Sequence, residues 1–442
     1  MATLLSKPIN LVVQPASTAA QGWGDGGATG SVAGDVWTPG RNAAGVVNAA
    51  SWNALPLNRW VQVGGTRLDA MDAVVKAAIP GWNDPGVEKW NGVTDAWNGM
   101  AIDPAGSRMW LKGGGHSASG NNGIYRFDAL KMAWAIEDLP SPTAPWSTAY
   151  IGSRNGGSFT FCAESDAAAK AKIALGTLQA INDVFYDELF WDGKPTSRHT
   201  YSSMVYVPET NELVMVCRRL WRYSLSERRW TYKRQIRDQA AQFMSGENMV
   251  AIYDEATREV LVSAAGSEGI YRATGYNLTS NQWTNWGSPW NIYSGIADVR
   301  VGRRVVIVQA PQRKVSYGGT TGIYWDYDLD TRSVKANGQC QLADGLTQND
   351  FAPDNWFYDS AALTYIPSKN RFWLFTLMAS GKMELIEIDP TTTPWTARRA
   401  PGLTGAVPSP GKNLERKMVY LPLLNAVLIC DNAGKDLSLY RF

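Results

Sequence analysis

Residues 125–134 read YRFDALKMAW: an apolar run, a polar bend at Asp128, and a Trp seven positions after Phe127. The interval recurs. Tyr223 to Trp230 reads YSLSERRW, Tyr276 to Trp283 reads YNLTSNQW, Tyr327 to Val334 reads YDLDTRSV, and Ile388 to Trp395 reads IDPTTTPW. Each has an apolar residue, a polar one, a turn drawn from Asp, Ser, Thr, Asn and Glu, and a closing residue that is Trp four times in five. Turn residues at that position bend the chain, so the apolar residue and the closing residue are expected to meet across an antiparallel hairpin.

The closing residues lie 96, 53, 51 and 61 positions apart. After the first, these intervals fit one four-stranded β-propeller blade of about 50 residues. The segments DPAGSRM, PETNELV, DEATREV and PSKNRFW stand at equivalent places between the first and second strands of their blades, independent support for the register. The last unit, ERKMVYLPLLNAVLICDNAGKDLSLYRF, has the turn PLLNAV and ends one strand short, with LYRF aligned on IYRF of the first blade. The missing outer strand is expected from NRWVQVGG, residues 58–65, with Trp60 as its closing residue. A strand from one end of the chain that completes the other end's blade leaves no unpaired edge. The expected fold is therefore all-β, a six-bladed propeller spanning 57–442 and closed by a strand at 57–64.

Composition agrees. The 442 residues include 20 Trp, 42 Gly and two His, and the formal net charge is +2. Balanced charge gives no global field that favours nucleic acid or anionic lipid. Cys162, Cys217, Cys340 and Cys430 are scattered without a CxxC pair, so neither a zinc site nor a disulfide framework is expected. No run is long and apolar enough for a signal peptide or a membrane span, which leads to the expectation of folding in a reducing cytoplasm.

Three segments lie outside the blade plan. Residues 1–56 are rich in Gly, Ala, Ser and Asn and read as an extended arm with too little apolar density for a core of its own. The segment is either a disordered tail or an arm that orders against a neighbouring subunit, with Trp23 and Trp37 as its anchors. TRLDAMDAVVKAAIP predicts a helix over 66–79, with Thr66 and Asp69 in a capping-box pattern, Leu68, Met71 and Val75 on one face, and Pro80 as its stop. Residues 137–198 are an insertion between blades 1 and 2, with Ala174, Leu178, Ile181 and Phe185 in a helical stripe.

GGGHSASGNNGIYRFDALKMAW, a glycine cluster followed by a Tyr-bearing strand and a spaced Trp, resembles the kelch and galactose-oxidase-like propellers over about residues 98–442. AWNGMAIDP, GGGH and DGKPTSRHTY are also similar to uncharacterised propellers encoded among bacteriophage structural genes. The first resemblance would imply a copper radical site with two His and two Tyr ligands, one Tyr crosslinked to Cys. His116 and His199 sit in loops that open on one face, but no Tyr–Cys pair is placed, so no metal and no cofactor are expected. Sialidase chemistry is excluded by the missing Asp-box repeats. Asp187, Glu188 and Asp192 in FYDELFWD form a carboxylate group better read as a solvated loop than as a glycosidase pair.

CRRLWRYSLSERRWTYKRQIR, residues 217–237, holds eight basic residues and one acidic one among aromatics. Its Trp and Tyr belong to the blade repeat, so Arg218, Arg219 and Arg222 are assigned to an assembly surface rather than to sequence-specific nucleic-acid binding. The second resemblance implies a non-enzymatic virion part, in the tail, in symmetric copies among other virion proteins and made in the host cytoplasm. The alternative is a glycan-binding propeller that recognises a host glycan, with His116, Arg198, His199 and Tyr201 as ligand-binding candidates.

Overall fold

The computed structural model describes residues 26–27, 30–84, 88–95, 97–103, 105, 107–114, 119–142, 194–195, 197, 200–217, 219–231, 247–265, 272–287, 296–309, 323–351, 361–410 and 414–442. The fold is a six-bladed propeller: six small sheets in a ring, antiparallel except where an added strand runs parallel to the outer strand of blades 5 and 6. Blade 1 runs Met100–Asp103, Arg108–Lys112, Ile124–Asp128 and Ala133–Asp138, from inner strand to outer. Blades 2 to 5 repeat that order, with inner strands Met204–Val207, Glu247–Asp254, Ile296–Val301 and Ala362–Ile366. Blade 6 takes three strands from the C-terminal region, Met418–Leu421, Ala426–Ile429 and Leu437–Arg441, and its fourth, Arg59–Val63, from the N-terminal region.

The seven-residue interval is explained by turn geometry. Asp128 pairs with Ala133, leaving a four-residue turn, and the flanking pair is Phe127 with Trp134. Tyr223–Trp230, Tyr276–Trp283 and Tyr327–Val334 pair in the same register. The last turn residue is left-handed each time: Met132, Arg228, Asn281 and Arg332 have φ between 46° and 55°. The polar residue before the turn accepts its N–H groups, Asp128 from Leu130, Asn277 from Thr279 and Ser280, and Asp328 from Asp330 and Thr331. These local hydrogen bonds are why Asp and Asn suit that position.

Ring closure follows the same register. Tyr440 faces Trp60, with ring centroids 5.3 Å apart, as Phe127 faces Trp134 at 5.2 Å. Tyr440 therefore stands where Phe127 stands. The alignment of LYRF on IYRF, which matches Tyr440 to Tyr125, is two residues out. IDPTTTPW also departs from the expectation. Ile388 pairs with Ala397 and Asp389 with Thr396, so the turn is two residues longer and Trp395 lies inside it. Trp395 instead stacks on Tyr324 of blade 4, at 3.9 Å and 4°.

Among the described residues there is no single central core. Six apolar clusters fill the six seams between blades. A blade's two faces both lie in seams, so strands such as Ala362–Ile366 are buried at every position instead of alternating. The hairpin pair always faces the preceding blade: Tyr223 and Trp230 pack with Trp110 of blade 1, and Trp60 and Tyr440 with Trp373 of blade 5. The sequence repeat is thus a seam repeat.

The arm reading fails for residues 30–56. Ser31–Ala33 and Val36–Thr38 form a hairpin whose second strand runs parallel to Arg59–Val63, making blade 6 a six-stranded sheet. Trp37 is 1% exposed and packs edge-on against Trp52 of α1 (Ala49–Asn53), inside its own chain. Shared burial with the ring supplies the core that the segment lacks by itself, so Trp37 is no free anchor. Trp23 lies outside the described residues.

The helix is shorter than 66–79. A 3-10 turn at Leu68–Ala70 leads into α2, Met71–Ala78. The capping box does not form. The Thr66 hydroxyl donates to Val63 and accepts from the Leu437 N–H, joining the closing strand, while Asp69 pairs with Arg67. No helix of the described residues is long and apolar enough to cross a membrane.

Candidate functional site

Antiparallel order gives the disc two unlike faces. One carries the turns that join strands 1–2 of each blade and strands 3–4 of blades 1 to 5; the other carries the 2–3 loops and the connections between blades. The connections reach the axis on this loop face, immediately before each inner strand.

At that mouth the chain is held tightly. Trp97 and Tyr201, both left-handed with φ of 52° and 46°, are linked by the Tyr201 N–H to the Trp97 carbonyl at 2.7 Å. The Tyr201 carbonyl accepts from the Gly99 N–H at 2.8 Å. A β-carbon on Gly99 would overlap that carbonyl oxygen, so glycine is required there. Asn98, fully buried, accepts from the Thr200 N–H and donates to the carbonyls of Gly92 and Val93, at the end of α3 (Trp90–Asp95).

Arg416 crosses the axis. It leaves the step into the inner strand of blade 6, and its Nε lies 2.9 and 3.1 Å from the two oxygens of Asp298 in blade 4. Nη1 donates to the Met204 carbonyl of blade 2 at 3.2 Å, and Nη2 to the Ala251 carbonyl of blade 3 at 2.6 Å. Its side chain is 11% exposed and that of Asp298 is 3% exposed. One guanidinium thus joins four blades. A buried ion pair satisfied on several sides is demanding in position, since any displacement strands a charge.

The neighbours of Arg416 are also buried. Lys417 is 1% exposed and donates to the Thr94 carbonyl of α3. Asp95, its charge neighbour, accepts from Asn432 at 2.9 Å, and burial raises its carboxyl above the usual range despite Lys417. Glu415 is 5% exposed, its Oε2 has no hydrogen-bond partner, and burial pushes the carboxyl up to about 6.

A second buried polar group joins the ends of the insertion to the glycine-rich loop of blade 1. Asp84 accepts from the Ser119 hydroxyl and the Gly120 N–H. Asn122 donates to the Pro195 carbonyl, Ser197 to the Ser119 carbonyl, and Lys194 to Asp138. The excursion from 139 to 197 therefore leaves and rejoins the ring at one place on the loop face.

Of the ligand-binding candidates, His116, Arg198 and His199 lie outside the described residues, as do Asp187, Glu188, Asp192 and the helical stripe of the insertion. Tyr201 is 7% exposed at the seam of blades 1 and 2. Arg222 is a correction to the assembly reading. It is buried and paired with Glu212 of its own blade, Nε to Oε2 at 3.0 Å, because Glu212 lies diagonally across from it on the same face of the neighbouring strand. Arg218 and the side chain of Arg219 lie outside the description. The axial residues Glu415, Arg416, Lys417 and Asp298 were missed by sequence reasoning. ERK at 415–417 looks like an ordinary charged surface run, and its partner Asp298 stands 118 positions away.

Among the described residues no group of three or more His, Cys, Asp or Glu is placed to hold a metal ion, and Cys340 and Cys430 are free and buried. No protein-family model matches the chain. No curated protein matches it either. Among solved structures, a luciferin-regenerating enzyme is similar with a TM-score of 0.40 and 8% identity, over 82% of this chain and 96% of that one.

Proposed function

We propose that this chain is a non-enzymatic scaffold ring of a bacteriophage virion, working in the tail as a hub, nozzle or appendage component. The observation that carries the reading is the Arg416 bridge. The axial mouth, where a propeller can receive a small ligand, is occupied by a guanidinium that ties blades 2, 3, 4 and 6 together. That arrangement serves a stiff disc. The segments beyond the blade plan depart from opposite faces. Arg41, beside the N-terminal hairpin, donates to the Lys131 and Met132 carbonyls in a blade 1 turn, whereas the insertion leaves from the loop face. A disc with attachments on both faces suits a part stacked between neighbours. The virion assignment itself rests on the likeness of AWNGMAIDP, GGGH and DGKPTSRHTY to propellers encoded among phage structural genes.

Electron microscopy of the native particle from the producing host tests this reading. The expected result is a fixed copy number in the tail, with neighbours against both faces. A free monomer that binds a defined oligosaccharide on a glycan screen would overturn it in favour of glycan recognition.

A further inference from the structure

Residues 414–417 form the step from the rim to the inner strand of blade 6, and three consecutive charged side chains leave it in three directions. Arg416 crosses the axis and Lys417 clips the end of α3. Glu415 is buried with Oε2 unpartnered.

Among the described residues, few charged and titratable groups lie on the segment of Glu415 and on the elements that Lys417 touches. Lys417 and Arg416 share its segment. Burial outweighs the Lys417 ammonium and the backbone N–H of Glu415, which favour the ionised carboxyl. Arg416 is engaged by Asp298. Glu88 and Asp95 belong to α3 and the residues before it. Cys430, Asp431, Lys435 and Asp436 belong to the neighbouring loop of blade 6, where Lys435 is paired with Asp431. Blades 1 and 2 bring backbone there: the Glu415 carbonyl lies against Gly99, beside the Tyr201 carbonyl. An ionised carboxylate oxygen without a donor is costly in such a place, whereas a neutral carboxyl can turn its O–H toward a carbonyl.

We propose that Glu415 is a proton-operated catch on the axial seam: neutral, it lets the 414–417 step close firmly on α3 and the Arg416 bridge; ionised, it loosens that step. The inference rests on the ring geometry and is independent of the virion reading. When the step opens, the carboxyl meets water and returns to its ordinary range near 4.5, while in the closed ring burial holds it at about 6. A raised acid favours the closed form at low pH, and that advantage is lost as pH rises from about 4.5 through 6. Opening is therefore about ten-fold easier at pH 7.5 than at pH 4.5.

Hydrogen exchange of the full chain reads this directly. The Cys430 N–H donates to the Lys417 carbonyl and the Lys417 N–H to the Leu414 carbonyl, each at 2.9 Å, so both report opening of the step. Their protection, corrected for intrinsic exchange, is expected to be about ten-fold higher at pH 4.5 than at pH 7.5, with the fall spread between about 4.5 and 6. The turn amides of Leu225 and Leu278 should change little. Glu415→Gln should hold the two reporters at the acid level across the range. Protection in the wild type that is flat with pH, or that changes with a midpoint near 4, overturns the proposal without needing the variant. So does a Glu415→Gln protein that keeps the wild-type pH dependence.

Discussion

The two faces of the disc solve the same problem by different means. On the turn face, short-range chemistry does the work and repeats from blade to blade. Tyr206, Tyr365 and Tyr420, each on an inner strand, donate to Asn211, Asn370 and Asn425 five residues later, at 2.9 to 3.2 Å. Each Asn is the left-handed last residue of its turn, with φ between 45° and 52°. On the loop face, among the described residues, one backbone step recurs in blades 2 and 6. The Ser203 and Lys417 N–H groups donate to Thr200 and Leu414 and their carbonyls accept from Val216 and Cys430, but the side-chain ties differ. The closure there depends on Arg416 and Asp298, Lys417 and Thr94, and Asn98 and Thr200, pairs brought together from distant parts of the chain. A face built from local rules is redundant, because each turn stands on its own. One built from single long-range pairs has no spare, so single substitutions there should cost more.

The largest effect is expected at the axis. Arg416→Ala leaves the buried Asp298 carboxylate without its guanidinium and two carbonyls without donors, and should lower stability by about 3–5 kcal/mol in denaturant unfolding. Adding Asp298→Asn should recover part of that loss, because the stranded charge disappears. If Arg416→Ala costs no more than a turn substitution, the contrast between the faces is wrong.

On the turn face, Asn370→Ala should cost about 2–3 kcal/mol. It removes the acceptor of the Tyr365 hydroxyl and forces a β-carbon into the left-handed region. Asn370→Gly keeps the backbone conformation and should cost about 1 kcal/mol. The difference between the two variants, read from their unfolding midpoints, separates backbone strain from the hydrogen bond. Equal losses would mean that the φ of 49° carries no penalty at this turn.

This contrast also accounts for what could be read from the sequence. The hairpin interval was legible because turn length and the left-handed last residue fix it within eight residues. The motif Tyr-aliphatic-Pro-x-x-Asn was equally available in YVPETN, YIPSKN and YLPLLN, and only its turn half was used. Trp395 misled because a turn two residues longer moved it out of the pairing position while leaving the spacing intact. Trp37 misled because low local apolar density says nothing about apolar surface supplied by the ring. The axial site was not legible at all: neither Arg416 nor Asp298 carries a local signature, and only closure of the ring brings them together.

The seams allow a finer comparison. Trp230 and Trp283 occupy the same hairpin position, but Trp230 Nε1 donates to Asp138 of the preceding blade at 3.0 Å, whereas Trp283 Nε1 is buried without a partner. Trp230→Phe should therefore cost about 1–2 kcal/mol more than Trp283→Phe, since the ring contact with Tyr223 or Tyr276 is retained in both. Equal costs would assign the repeat's value to ring packing alone.

The smallest effect belongs to a turn-face charge. Burial alone would raise the Asp328 carboxyl, but the Lys335 ammonium and the N–H groups of Thr331 and Asp330 outweigh it and bring it down to about 2. A lowered carboxylate stabilises the fold above its ordinary value near 3.8, and that contribution is lost as pH falls from about 4 through 2. Lys335 is half exposed, so screening limits its share of the effect. Asp328→Asn keeps an acceptor for the two turn N–H groups and loses the ion pair, so it should cost about 1 kcal/mol at pH 7. The gap from wild type should close as pH approaches 2, in unfolding curves taken along a pH series. A gap that persists at pH 2 would mean that Asp328 acts through the shape of its turn and not its charge, which is how the uncharged Asn277 already serves the equivalent turn of blade 3.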